Sequence, residues 1–190
     1  MADSNITKQA LAASLQELMR EMPFEKIGVA HICEKCGMNR KSFYYHFKDK
    51  YDLVNWIFDT NFIAFAAGKI SGEADSDRWE LIERVCEYFY EERDFYRKAF
   101  LIKGQNSFSD HFREYIFPLL KNRLVCLVGD DGADDFTVGF FSDAIICSME
   151  RWLLDKNCMP PKQFVAKIEG LVQNGAAAIY REMIQEELIL

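Results

Sequence analysis

Apolar residues recur at spacings of three and four along the chain, and no stretch alternates with the period of two that a half-buried strand requires. Leu11, Leu15, Leu18 and Met22 form the first such stripe, and Pro23 ends the helix that they predict. The pattern therefore predicts an all-α protein.

Glycine, proline and capping residues divide this pattern into separate helices. The second predicted helix is short, from Val29 to Lys35, with Val29, Ile32 and Cys36 on its inward face. Gly37 suits a left-handed stop, and Asn39 suits the N-cap of a third helix that extends to Phe47. Further helices are predicted at about 49–67, 78–100, 109–128, 135–156 and 161–186, with a disturbance at Pro118 and an acidic turn at 129–135.

Two domains are predicted from this order of helices. Residues 1–50 form a three-helix domain, and residues 51–190 form a larger helical bundle. The fourth helix, at about 49–67, is long enough to connect the two, and the small acidic stretch 71–77 follows it as a boundary loop.

The charge of the chain is unevenly distributed between these domains. The net charge of −7 argues against a nucleic-acid partner, but residues 1–50 carry eight Lys/Arg against six Asp/Glu, and the remaining 140 residues carry 15 against 24. The first domain therefore has a net charge of +2 and the rest −9. One end of the protein suits the phosphates of DNA.

The six cysteines do not form an evident metal site. Cys33, Cys36 and His31 lie close in sequence, but at about 100° per residue His31 points about 200° away from Cys33, and no second ligand pair follows. We expect buried thiols, with redox sensing by Cys33 or Cys36 as the alternative, and no metal or cofactor. No signal peptide and no membrane-spanning run is recognisable, so a cytoplasmic protein is expected.

Residues 29–50 have the order of a helix-turn-helix motif, namely a short helix, a glycine turn and a second short helix. In the second of these, Phe43 and Phe47 face the core at helical spacing. The opposite side then carries hydrogen-bond donors suited to phosphates and base edges. These are Arg40, Lys41, Ser42, Tyr44, Tyr45 and His46.

This segment resembles the DNA-binding signature of the TetR/AcrR family of transcriptional regulators. Ile32, the turn at Cys36-Gly37 and the Tyr44-x-x-Phe47-x-x-Lys50 ending carry the resemblance. It implies that Tyr44, His46 and Lys50 contact phosphates and that the other polar residues of the third helix face bases or nearby backbone. This chain departs from the family pattern at Cys33 and Cys36, where alanine is usual, and at Lys41, where glycine is common.

The second half of the chain is similar to a branch of the family named as dihydroxyacetone kinase regulators, through residues 95–98, 143–153 and Pro160-Pro161. The resemblance implies a homodimer on a DNA operator that is controlled by an effector. Repression released by a small molecule is the usual outcome in the family. Activation under a co-regulator protein is the alternative, and a helical ligand carrier or enzyme is the rival class, although no catalytic constellation is evident.

Two further sets of residues are predicted from side-chain type. Aromatic residues in the middle of the chain either line a ligand pocket or fill a core, and the resemblance favours a pocket. The pocket candidates are Phe62, Phe65, Tyr88, Phe89, Phe112 and Tyr115. Small residues beside bulky ones in the last two helices predict a dimer interface. The interface candidates are Phe141, Ile145, Ser148, Trp152, Leu171, Gly175 and Ile179.

Overall fold

The computed structural model describes residues 2–67, 78–104 and 107–187, and within these ranges it contains helices and turns but no strand. The all-α prediction is therefore confirmed. The helices are α1 (Ala2–Glu21), α2 (Val29–Lys35), α3 (Arg40–His46), α4 (Lys50–Ala67), α5 (Arg78–Glu91), α6 (Arg93–Phe100), α7 (Phe108–Gly132), α8 (Asp135–Leu154) and α9 (Pro161–Glu187).

The chain divides into two compact units that are not contiguous in sequence. One unit contains α1 to α4, α6 and the first residues of α7, and the other contains α5, the rest of α7, α8 and α9. The predicted division at residue 50 cuts between α3 and α4, whereas in the structure α4 and α6 both pack against α1. The predicted loop at 71–77 lies outside the described residues.

The core of the first unit is built on α1. Leu11, Leu15 and Leu18 are buried as predicted, and Met19 is also fully buried. Met22, which was predicted to belong to the same stripe, follows the end of the helix at Glu21 and is half-exposed. A 3-10 turn at Phe24–Lys26 joins α1 to α2. Helices α2, α4 and α6 contact α1. The buried apolar residues of the later helices of this unit include Ile32, Phe43, Leu53, Ile57, Phe58, Tyr96 and Phe100.

One predicted helix is divided in two, and another is kinked where it was predicted to end. The helix expected at 78–100 is interrupted at Glu92, whose backbone angles of φ −96° and ψ 25° separate α5 from α6. Helix α7 extends to Gly132, but Gly129 has non-helical angles (φ 78°, ψ 176°), so the helix is kinked directly after Val128, where it was predicted to end. The backbone angles at Pro118 stay helical, so the disturbance predicted there is not seen.

In the second unit, α5 lies along α9, and α8 also contacts α9. The ring of Trp152 on α8 stacks on Phe164 of α9 at a centroid distance of 4.5 Å and on Tyr90 of α5 at 6.1 Å. Its indole N–H donates to the Met159 carbonyl at 2.7 Å. Because the indole N–H of the buried Trp152 ring is hydrogen-bonded as well as stacked, the ring is held in a defined position within this unit.

Candidate nucleic-acid interface

The turn between α2 and α3 closes as a left-handed helix stop. Gly37 has φ 67°, a conformation that glycine adopts without strain, and nothing lies within 4 Å of where a Cβ would be. The N–H of Met38 donates to the Cys33 carbonyl at 2.8 Å, and the N–H of Gly37 donates to Glu34 at 3.2 Å. These two bonds are those of a Schellman motif, which satisfies the last carbonyls of α2 and turns the chain sharply into α3.

The start of α3 is held by its predicted cap. The side-chain oxygen of Asn39 accepts the Ser42 N–H at 2.9 Å and lies 3.2 Å from the Ser42 hydroxyl. An N-cap of this kind satisfies one of the four amide groups that a helix start leaves unpaired. The first turn of α3 is therefore stabilised by a hydrogen bond within the motif itself.

The two faces of α3 differ as the sequence predicts. Phe43 and Phe47 are buried, and the Phe47 ring meets Trp56 of α4 edge-on at 5.7 Å. Tyr45 is 83% exposed and Tyr44 is 58% exposed. Arg40 and Lys41 are exposed, while Ser42 and His46 are half-buried. A helix anchored on one side and covered with donors on the other has the form required to enter a major groove.

Lys50, at the start of α4, makes several contacts within its own chain. Its ammonium group donates to the carbonyls of Phe24 at 2.7 Å and Ile27 at 2.8 Å, with Glu25 at 3.5 Å. It also lies 4.2 Å from the centre of the Phe24 ring. Burial lowers the pKa of Lys50. This lysine is engaged with its own chain, in contrast to the exposed cations of α3.

The thiols of α2 are arranged differently from the sequence prediction. Ile32 and Cys33 are its buried residues, whereas Val29 and Cys36 are half-exposed, so Cys33 takes the inward position expected for Cys36. Burial raises the pKa of the Cys33 thiol, with a smaller contribution from Cys36. The Cys36 thiol lies 3.2 Å from the Ile32 carbonyl. In the part of the chain that the structure describes, no cluster of metal-binding side chains occurs.

The predicted pocket residues lie in both units. Phe62, in the first unit, stacks on Phe58 at 5.2 Å. In the second unit, Phe89 and Phe112 are fully buried and meet edge-on at 5.2 Å, Tyr88 is buried, and Tyr115 is half-buried. The side chain of Phe65 lies outside the described residues. Phe89 and Phe112 thus pack as core residues.

The predicted dimer face is revised by the burial of its members. Ile145 and Trp152 are buried within their own chain, and the Phe141 ring lies 2.7 Å from where a Cβ of Gly175 would be, so that glycine serves an internal contact. Leu171 is 68% exposed. Ser148 is half-buried, and the side chain of Ile179 lies outside the described residues.

Two exposed aromatic residues of α8 were not predicted from the sequence. Phe140 is 63% exposed and Phe136 81%. A groove of about 230 Å³ lies between α8 and α9. It is lined by Phe140, Phe141, Ala144, Ile145, Ser148, Ile168, Leu171 and Val172. Helix α8 is apolar on several sides, so its spacing alone did not distinguish the exposed stripe from the buried one.

No helix among the described residues is both long and apolar enough to cross a membrane. The first unit presents the exposed cationic and aromatic residues of α3, and the second unit presents an exposed apolar face on α8 and α9.

Known proteins resemble the chain in both regions. A family model described as bacterial regulatory proteins of the tetR family matches residues 11–57, and one described as the C-terminal region of transcriptional regulators matches residues 77–174. The HTH-type dhaKLM operon transcriptional activator DhaS of Lactococcus lactis subsp. lactis (strain IL1403) is 31% identical over 104 residues, or 54% of this chain. This match spans about half of that relative, 53% of its length.

Solved structures show the same fold along most of the chain. A TetR transcriptional regulator from Streptococcus agalactiae 2603V superposes with a TM-score of 0.71 at 21% identity, covering 90% of this chain and 96% of that one. A dihydroxyacetone kinase operon activator DhaS gives 0.57 at 18% identity, covering 91% and 97%. NalD, the secondary repressor of the MexAB-OprM multidrug efflux pump in Pseudomonas aeruginosa, gives 0.62 at 16% identity, covering 90% and 97%.

The motif that carries the resemblance lies within the matched residues 11–57, and the second match alone covers just over half of the chain. The chain therefore belongs to the TetR family of bacterial transcriptional regulators.

Proposed function

We propose that the chain binds a specific DNA operator as a homodimer, with α3 of each protomer in the major groove. The observation that carries the proposal is the two-sided character of α3, which is anchored by buried Phe43 and Phe47 and exposes donors on its other face. Such a helix has no evident purpose within the monomer, because an 83% exposed tyrosine contributes little to a core.

The roles of the donors follow from their positions along α3. In helix-turn-helix proteins the amino-terminal residues of the second helix contact base edges. Arg40 and Lys41 occupy this end, and an arginine there suits the two acceptors of a guanine. Tyr44 and His46 lie further along and are assigned to phosphates, which fix the orientation but not the sequence preference. Ser42 and Tyr45 complete the surface.

The homodimer is proposed to form through the apolar groove of α8 and α9. Exposed Phe140 and Leu171 border this groove, so the same patch offers both a projection and a recess. A two-fold axis pairs a patch with itself, which such a surface permits. The dimer would present two copies of α3 to half-sites about 34 to 36 Å apart.

The proposal is tested on a duplex enriched from a random-sequence pool by the unmodified protein. Arg40→Ala should relax the base preference at one position, with a loss of about 1 to 3 kcal/mol in discrimination. Tyr44→Phe should weaken binding to every sequence equally, because only a phosphate contact is removed. Lys156→Ala, at an exposed lysine of the second unit, serves as the control.

Two outcomes would count against the proposal. Failure of the pool to yield any enriched sequence would refute sequence-specific binding. Equal loss of base preference in the Arg40 and Tyr44 variants would refute the assignment of their contacts.

For regulation, the first candidate is a repressor that a small-molecule effector releases from DNA. Release requires the effector to bind the free protein more tightly than the DNA complex, by the same factor as it weakens DNA binding. The buried pair Phe89 and Phe112 does not by itself form such a site, so the pocket residues remain a prediction.

The second candidate is an activator controlled by a co-regulator protein. It is favoured by the name of the Lactococcus relative, a transcriptional activator. The two candidates predict opposite effects on transcription from the bound promoter. Inactivating the gene should raise this transcription if the protein is a repressor and lower it if the protein is an activator.

A further inference from the structure

A groove of about 310 Å³ lies within the second unit, between the amino-terminal parts of α5 and α9. These two helices are in contact, and one face of each lines the groove. The lining includes Trp79, Glu80 and Glu83 of α5 and Lys162, Val165 and Glu169 of α9. No described residue of the aromatic pocket predicted from the sequence belongs to this lining, so the groove is a different cavity.

The groove contains two hydrogen-bond donors that lack an acceptor among the described residues. Trp79 is 4% exposed, and its buried indole N–H has no such partner, unlike the N–H of Trp152. Lys162 is exposed, and its ammonium group makes no ion pair or hydrogen bond in the described part of the chain. Buried polar groups in native proteins are nearly always hydrogen-bonded, so the Trp79 N–H favours an acceptor supplied by a ligand.

The three carboxylates of the groove differ in their partners. Glu80 forms an ion pair with Arg84 at 2.6 Å, and Glu169 accepts from the Gln173 side-chain amide at 2.8 Å. Glu83 is half-buried and has no ion pair or hydrogen bond of its side chain within the described ranges. Glu83 is therefore available to a cation in the same groove that offers the two donors.

We propose that this groove binds a free amino acid in its zwitterionic form. The carboxylate of the ligand accepts from Lys162 and from the Trp79 N–H, and its ammonium group donates to Glu83. Val165 and the Trp79 ring provide apolar surface for an aliphatic side chain. A simple amine would leave both donors without an acceptor. The inference goes beyond the proposed binding of DNA, and its test uses the protein alone.

The test is calorimetric titration of the full-length protein with L-leucine and with two analogues that each lack one charged group. 3-Methylbutylamine has no carboxylate, and 4-methylpentanoate has no ammonium group. Because each lost hydrogen bond to a charged group is worth at least about tenfold in affinity, leucine should bind at least about tenfold more tightly than either analogue. The absence of leucine binding at millimolar concentration, or an equal affinity for the amine, would overturn the proposal.

Two variants assign the two ends of the ligand. Glu83→Gln should weaken leucine binding about tenfold and leave 4-methylpentanoate unaffected, whereas Lys162→Gln should weaken leucine equally and leave 3-methylbutylamine unaffected. Glu87→Gln and Lys167→Gln are matched controls, since both residues are exposed on the same helices and do not line the groove. Equal losses of leucine affinity in the controls would overturn the assignment of the site.

The indole N–H signals in NMR spectra test the location without altering the charges. Addition of leucine to the unmodified protein should shift the Trp79 signal, which is identified by its absence from the spectrum of Trp79→Phe. The Trp152 signal should stay in place, because its N–H already donates to the Met159 carbonyl. Leucine binding that leaves the Trp79 signal unmoved would refute this location.

Discussion

The N-cap of α3 offers a direct test of how the DNA-binding helix is ordered. Replacing Asn39 by Ala removes the 2.9 Å bond from the Ser42 N–H to the Asn39 side chain. The main-chain carbonyl of Asn39 still accepts from Ser42 at 3.1 Å and Phe43 at 3.4 Å, so the helix loses one bond and not its whole first turn. An N-cap of this type is worth about 1 kcal/mol.

The expected consequence is local. About 1 kcal/mol shifts an opening equilibrium by about fivefold, so the Ser42 and Phe43 amides should exchange with solvent about fivefold faster. Hydrogen exchange followed by NMR or mass spectrometry measures this. Asn39→Ser, which keeps a capping oxygen, should restore most of the protection.

Asp134 provides a matched control in the second unit. Its carboxylate caps α8 by accepting the Thr137 N–H at 2.7 Å, so Asp134→Ala should loosen α8 and leave α3 unchanged. The hydrogen bond from the Thr137 backbone lowers the pKa of Asp134 below its ordinary value of 3.8. This cap is therefore intact at neutral pH and is lost as the pH falls through the lowered pKa, whereas the neutral Asn39 cap has no such dependence.

Unchanged exchange at Ser42 and Phe43 in Asn39→Ala would refute this reasoning. It would mean that the packing of Phe43 and Phe47, and not the cap, sets the order of the first turn. Equal loosening of α3 by Asp134→Ala would show that the effect is global.

Three further changes give distinct outcomes. Gly37→Ala forces a side chain into φ 67° with no steric contact, so it should cost about 1 to 2 kcal/mol of stability and weaken DNA binding, whereas Gly129→Ala (φ 78°) should cost stability alone. Leu171→Asp should convert dimer to monomer in sedimentation, unlike Gln173→Asp on the same helix; a dimer that survives would exclude this face. Phe112→Ala should lower stability by about 3 to 5 kcal/mol in thermal and denaturant melts if the ring is core, and an unchanged melt would support a pocket.

Local signals explain why the DNA-binding segment was predictable. The left-handed Gly37, the cap at Asn39 and the four-residue spacing of Phe43 and Phe47 each act within a few residues. Asp49 acts in the same way at the start of α4, where its side chain accepts the Tyr51 and Asp52 N–H groups at 2.8 Å. The residues that interact in each of these features are close together in the sequence, so the features can be predicted from it.

Other features depend on tertiary contacts, which the spacing of apolar residues along the sequence does not show. The break at Glu92 has no glycine or proline to mark it. The apolar residues of α8 surround the helix, and only its packing separates exposed Phe140 from buried Ile145. The amphipathic spacing that identifies a helix face becomes uninformative when most positions are apolar.

By itself, the sequence determined that this protein is all-α, that it carries a helix-turn-helix, and which residues of α3 face outward, because these properties follow from periodicity and short-range hydrogen bonds. Only the tertiary structure decided which helices share a compact unit and which side of α8 remains exposed. It also decided that Lys50 serves main-chain carbonyls 23 and 26 residues away. Partners so distant in sequence are chosen by how the helices pack, and no local pattern records that choice.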